Sequence, residues 1–129
     1  MNIAPQRPCR GQSLVEWALI LPVLLLVLMV IIDLGRVTYT YSALFNSTRE
    51  GARYATIYPD DTSGITAAVR RMAVGLDPSL ITVTTSRPTA RTVRILATYR
   101  FAVVTPIAAT FLGSNTITLR TQTTMRTEQ

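Results

Sequence analysis

The sequence contains no histidine and no lysine, and it has a single cysteine, Cys9. Without histidine, the commonest general base and the commonest metal ligand are missing. One cysteine permits neither an intramolecular disulfide nor a Cys-rich zinc site. Ser-His-Asp and Cys-His chemistry are excluded outright. The six glycines are too dispersed for a phosphate-binding loop. The expectation is therefore a protein that is not an enzyme, with no cofactor, no metal and no small-molecule substrate.

All 13 basic residues are arginine, against 7 acids, for a formal charge of +6 over 129 residues. Along the chain they are scattered, and the densest group, Arg87, Arg91, Arg94 and Arg100, has no stacking aromatics among its first three members. Solvated strand and loop charges, rather than nucleic-acid binding, are the expected reading. The apolar residues are anything but scattered. From Leu14 to Leu34 only Glu16, Pro22 and Asp33 are not hydrophobic. The uncharged stretch Trp17–Ile32, as a helix, spans about 24 Å, and its flanking residues bring it near the ~30 Å of a bilayer core. Arg7 and Arg10 precede it with no acid among residues 1–11, so the positive-inside rule places the N-terminus in the cytoplasm and the remainder outside. The segment after it, Asp33-Leu34-Gly35-Arg36, offers no small-x-small cleavage site for a conventional signal peptidase.

The helical pattern continues beyond Asp33. Leu34, Val37, Tyr41, Leu44, Phe45, Thr48, Ala52 and Ala55 recur at three- and four-residue steps, with Arg36, Thr40, Asn46 and Arg53 expected on the opposite face. A rod from about Ser13 to Ile57 follows, interrupted within by Pro22 alone and ended by Pro59. Pro22 removes one helix hydrogen bond and predicts a bend. Glu50 and Arg53, three apart, can pair on the helix surface, and the small Gly51 and Ala52 let another element approach closely. Arg49, Glu50 and Arg53 are expected to form one ion-pair cluster.

Downstream, Pro59-Asp60-Asp61-Thr62-Ser63-Gly64 reads as a loop with Thr62 or Ser63 as helix cap, and Ile65, Val69, Met72 and Leu76 as a short amphipathic helix. From Thr82 onward 14 of 48 residues are threonine, a β-branched texture. Leu80–Thr85, Thr92–Phe101 and Thr116–Met125 are expected strands, with Arg87-Pro88-Thr89 as the first turn and Pro106–Gly113 as a helix or loop before the last strand. The sequon Asn46-Ser47-Thr48 falls on the long helix and reads as coincidence.

Four separated motifs carry a family resemblance. The first is Gly11-Gln12-Ser13-Leu14-Val15-Glu16-Trp17, followed by Leu21-Pro22, Asp33-Leu34-Gly35-Arg36 and Arg49-Glu50-Gly51-Ala52-Arg53-Tyr54-Ala55. Together they resemble the TadE-like family, pseudopilins of the Tad (Flp-type) pilus, over residues 10–58. Trp17 stands where the family usually has Phe or Tyr. The resemblance implies an α+β, pilin-like fold: a long N-terminal helix, half transmembrane and half amphipathic, packed on a short helix and a small antiparallel sheet of about three strands. It divides the chain into a cytoplasmic leader (1–11), a transmembrane and polymerisation helix (12–34), its extracytoplasmic continuation (35–58) and a small outer domain (59–129). Cleavage between Gly11 and Gln12 by a prepilin peptidase would leave 118 residues and lower the formal charge from +6 to +4.

Glu16 would then be the fifth mature residue. A carboxylate inside an apolar helix is costly and persists where it meets a cation. The family implies the terminal amine of a neighbouring subunit as that cation. Trp17, Pro22, Asp33, Gly35, Arg36, Arg49, Glu50, Gly51 and Arg53 are expected in helix packing. The implied partners are membrane lipid, the peptidase, other pilins and pseudopilins and the inner-membrane assembly platform, with no nucleic acid. The competing reading is an uncleaved single-pass binding module that never polymerises.

Overall fold

Leucine, valine, isoleucine and alanine fill the first half of the long segment, and no proline other than Pro22 breaks it, so one helix propagates much further than either half alone would support. In the computed structural model it is a single α-helix, α1, Arg10–Ile57, 48 residues and roughly 72 Å long. Pro22 lies inside it. The structure describes residues 10–105, 110 and 113–128. The leader residues before Arg10, and most of the expected Pro106–Gly113 bridge, lie outside the described residues.

A tight loop follows α1 and leads to α2, Thr62–Met72. Its cap is Asp61, not the expected Thr62 or Ser63: the Asp61 carboxylate accepts from the Gly64 N–H at 2.9 Å and from the Ser63 hydroxyl at 2.8 Å. A carboxylate reaches the free N–H groups of a first turn and suits the positive end of the helix better than a neutral hydroxyl. The helix ends at Met72, a turn earlier than the apolar spacing suggests. Gly75 adopts φ +76, which turns Leu76 inward, and Tyr39 of α1 donates its hydroxyl to the Val74 carbonyl at 3.2 Å.

Three antiparallel strands complete the fold in the order β1 (Ile81–Thr89), β2 (Thr92–Ala102), β3 (Thr116–Arg126). Leu80 belongs to a short 3₁₀ turn, Pro78–Leu80, instead of β1. The first strand also runs past the expected turn, and the hairpin closes at Ala90-Arg91. Pro88 is accommodated because β1 is an edge strand and its register is irregular between Ser86 and Thr89, where no N–H is required.

The core is built from one side of each element. Leu44, Ala52 and Ala55 of α1, Ile65 and Val69 of α2, and Ile81, Val93, Ile95 and Ala97 of the sheet form one buried cluster. Thr48 and Thr121 bridge α1 to β3 through their hydroxyls at 2.7 Å inside it. The face of α1 that carries the fold is rotated from the expected stripe. Thr40 and Ser47 are buried, whereas Leu34, Tyr41 and Phe45 are exposed. Close approach decides this: Asp33, Thr40, Leu44, Ser47 and Gly51 form a line of mostly small side chains at helical spacing, and the sheet and α2 settle where the backbone can come nearest.

Candidate functional site

Two regions of α1 differ in what surrounds them. From Gly11 to Ile32 the helix is bare. Nearly every residue is exposed, among them Leu14, Trp17, Leu24, Val30 and Ile32, and α2 and the sheet leave that stretch uncovered. This helix is long and apolar enough to cross a membrane, with a mean hydropathy of 2.8 over its most apolar window. Burying such a side chain is worth about 1.5–3 kcal/mol relative to leaving it in water, so a surface of this extent requires lipid or partner helices. Gly11, Gln12, Glu16 and Trp17 all lie on the bare part, and Glu16 is exposed at the second turn of the helix. Nothing stands within 4 Å of a Cβ built at Gly11. Pro22 sits in the middle of the bare stretch.

At the root of the bare helix the sequence places Asp33, and the structure gives it a specific task. Its carboxylate is buried and accepts hydrogen bonds from four donors in two directions. The backbone N–H of Val104 donates at 3.0 Å, the N–H of Thr105 at 2.8 Å and the Thr105 hydroxyl at 2.6 Å, while Arg36 donates from the next helical turn at 3.0 Å. One acid thus latches the segment after β2 to the point where α1 leaves the domain. Charge-assisted bonds of this kind are about twice as strong as neutral ones. Arg36 is held in turn over the Phe101 ring at 5.0 Å. Gly35 is open, with nothing near a Cβ position, and lines a groove of about 490 Å³ together with Ile32, Arg36 and Tyr39 on the helix and Tyr99 and Phe101 on the sheet.

The expected cluster at the far end of α1 separates into two arrangements. Glu50 and Arg53 form a bidentate pair at 2.7 and 3.0 Å, and the Arg53 guanidinium holds the Glu50 carboxyl below its ordinary range. Arg49 is not part of it; its guanidinium lies 5.9 Å from the Phe45 ring, one turn back on the helix. Gly51 is the contact point with α2: a Cβ there would collide with Val69 Cγ2. Ser47 and Thr48 of the sequon are fully buried, and both hydroxyls donate to the Leu44 carbonyl, at 2.8 and 2.7 Å. The acidic loop Asp60-Asp61 is consumed by structure, Asp61 as cap and Asp60 paired with Arg87 at 2.9 Å. Among the described residues no cluster of three metal-ligating side chains occurs.

The Asp33 latch escaped sequence reading because its partners are 71 and 72 residues away. The available signal was an acid at the end of an apolar run, which costs free energy unless it is satisfied.

Residues 11–53 match the family model described as TadE-like protein. Searches of curated proteins and of solved structures each return no significant match. Over that region the chain is similar to TadE-like proteins, a likeness that suggests association with the Tad pilus system; the match takes in the first three motifs and Arg49–Arg53 of the fourth.

Proposed function

We propose that this protein is a minor pseudopilin of a Tad-type pilus, a structural assembly subunit that contributes to pilus biogenesis and adhesion and has no enzymatic activity. The bare apolar half of α1 supports this reading most directly, because among the described residues nothing packs on it and a polymerisation helix needs such a surface. It is stored in the cytoplasmic (inner) membrane with the N-terminus in the cytoplasm and the sheet outside. A prepilin peptidase cuts between Gly11 and Gln12. The helix then leaves lipid for the company of other pilin helices, where Glu16 meets a neighbour's terminal amine and sets the register of the incoming subunit. Transfer is feasible because lipid and packed apolar helices are similar solvents for such side chains, so assembly is decided by packing and by the single buried charge.

Mass spectrometry of the protein extracted from cells with an active prepilin peptidase is expected to give a chain beginning at Gln12. An intact Met1 start would overturn the proposal. Glu16→Ala should insert in the membrane normally and fail to enter pili; normal incorporation of that variant would remove Glu16 from the assembly step.

A further inference from the structure

The sheet has one face on α1 and α2, and no described helix covers the other. Val93, Ile95, Ala97 and Phe101 of β2 point inward and are buried, so the alternate residues point outward; of these Arg94 and Arg100 are exposed, while Leu96 and Thr98 are half-buried. The same alternation on β3 buries Thr121 and turns Arg120 and Arg126 outward. The register brings these four together. Arg94 pairs with Thr124 and Arg100 with Thr118, which makes Arg94 and Arg126 one diagonal pair and Arg100 and Arg120 another. Diagonal neighbours stand about 7–8 Å apart, and the two pairs are separated by six residues of β2, on the order of 20 Å.

No acid shares this face. The seven acidic residues are Glu16, Asp33 and Glu50 on α1, Asp60, Asp61 and Asp77 in the connections on either side of α2, and Glu128 after β3, where the chain turns to α1 and the Glu128 N–H donates to the Thr56 carbonyl. None of the four arginines takes part in an ion pair among the described residues. Between the two pairs stand Leu96 and its cross-strand partner Gln122, and around these lie hydroxyls, Thr82 and Thr84 on β1, Thr98 on β2 and Thr118 and Thr124 on β3. Like charges clustered on one flat surface raise its energy unless counter-charge is supplied from outside.

We propose that this outer sheet face binds an acidic polysaccharide, a chain whose repeated carboxylates or phosphates are taken by the two arginine pairs and whose hydroxyls meet the threonine rows. Guanidinium groups bind such oxyanions through two parallel N–H bonds. Among the described residues the face carries no aromatic side chain: Tyr99 and Phe101 have the inward parity. It therefore lacks the stacking platforms by which proteins hold single-stranded nucleic acid. Among the described residues, both helices pack on the opposite face and none projects from this one to enter a duplex groove. A hydroxyl-rich polyanion fits both facts. This deepens the adhesion part of the proposed function by naming what is adhered to.

The test is binding of the full chain in detergent micelles to alginate, a polyuronate, with neutral dextran and single- and double-stranded DNA as comparison ligands. Alginate is expected to bind, to weaken as salt is raised, and to exceed both DNA forms, with dextran not bound. Arg94→Gln with Arg126→Gln, and separately Arg100→Gln with Arg120→Gln, should each weaken alginate binding by about tenfold while leaving the melting temperature unchanged, since all four side chains are exposed. Arg70→Gln with Arg71→Gln removes the same charge from α2 and should change binding by less than about twofold. The proposal is overturned by absence of alginate binding at low salt, by tighter binding of either DNA, or by an equal loss in the α2 variant. Micelle binding is indifferent to leader cleavage, so a negative result here and an intact Met1 start in cells are separate failures.

Discussion

Asp33 has a different meaning at its own position than in the linear sequence. Read along the chain, Asp33 and Arg36 are a charge pair that cancels at the end of an apolar run. In space, Arg36 is the lesser partner, and the carboxylate is spent on two backbone amides and a hydroxyl of the segment after β2. Asp33→Ala leaves the buried N–H and hydroxyl of Thr105 and the part-buried N–H of Val104 without their acceptor. It should lower the stability of the full chain in detergent by about 2–3 kcal/mol, measured by chemical denaturation. Arg36→Ala, which removes one half-exposed donor, should cost well under half of that. Gly51 tests a sign. In an open helix, Gly→Ala stabilises by up to about 1 kcal/mol. Here the added Cβ meets Val69 Cγ2, and Gly51→Ala should destabilise by about 1–3 kcal/mol. Val69→Ala in the same chain should recover part of the loss, a coupling that a double-mutant cycle reads directly.

Asp61 links pH to the loop between the helices. The Gly64 N–H, then the Ser63 hydroxyl and the Tyr54 hydroxyl stabilise its charged form and hold its carboxyl below the ordinary value of 3.8. A depressed folded value means that this stabilisation is fully present above the ordinary value and is lost as pH falls through the folded one. Thermal melts from pH 7 to pH 2.5 should therefore show a loss at the acid end that Asp61→Asn lacks.

Among the elements, α1 was the most legible, because an uninterrupted apolar and small-residue segment has few alternatives to helix. Its ends agreed with the sequence reading to within three residues, and the three strands appeared where the threonine-rich alternation put them. What failed were the local stops. The short helix ended early and the first hairpin turned late, at Ala90-Arg91 instead of Arg87-Pro88-Thr89. Proline is a reliable turn signal only when its missing N–H would be needed by a neighbouring strand, and β1 has no neighbour on that side. The buried face of α1 differs from the expected stripe in part: Leu44, Thr48, Ala52 and Ala55 are buried as the spacing predicts, but Leu34, Tyr41 and Phe45 are exposed, and the smaller Thr40 and Ser47 are buried instead.

For the whole molecule, the long helix does two jobs that can be separated by truncation. A chain beginning at residue 33 retains Asp33, Leu44, Ala52 and Ala55 and hence the entire buried cluster. It should fold as a soluble species with a cooperative melt. A chain beginning at residue 59 loses the α1 wall of the core, leaving about 70 residues that bury too little surface to hold together. Its circular dichroism should show no cooperative transition.

The sequence by itself determined the kind of molecule: a long apolar helix near the N-terminus, a chain with no histidine and a single cysteine, and a series of motifs from Gly11 that is similar to TadE-like proteins. Those properties are local, fixed by composition and by spacing along one element. The tertiary structure decided what depends on residues far apart in the chain. It chose which face of α1 meets the sheet, gave Asp33 its partners from Val104 and Thr105, and gathered Arg94, Arg100, Arg120 and Arg126 onto one acid-free surface. Strand register sets such neighbours, and register is fixed only when the inward face is buried against a helix.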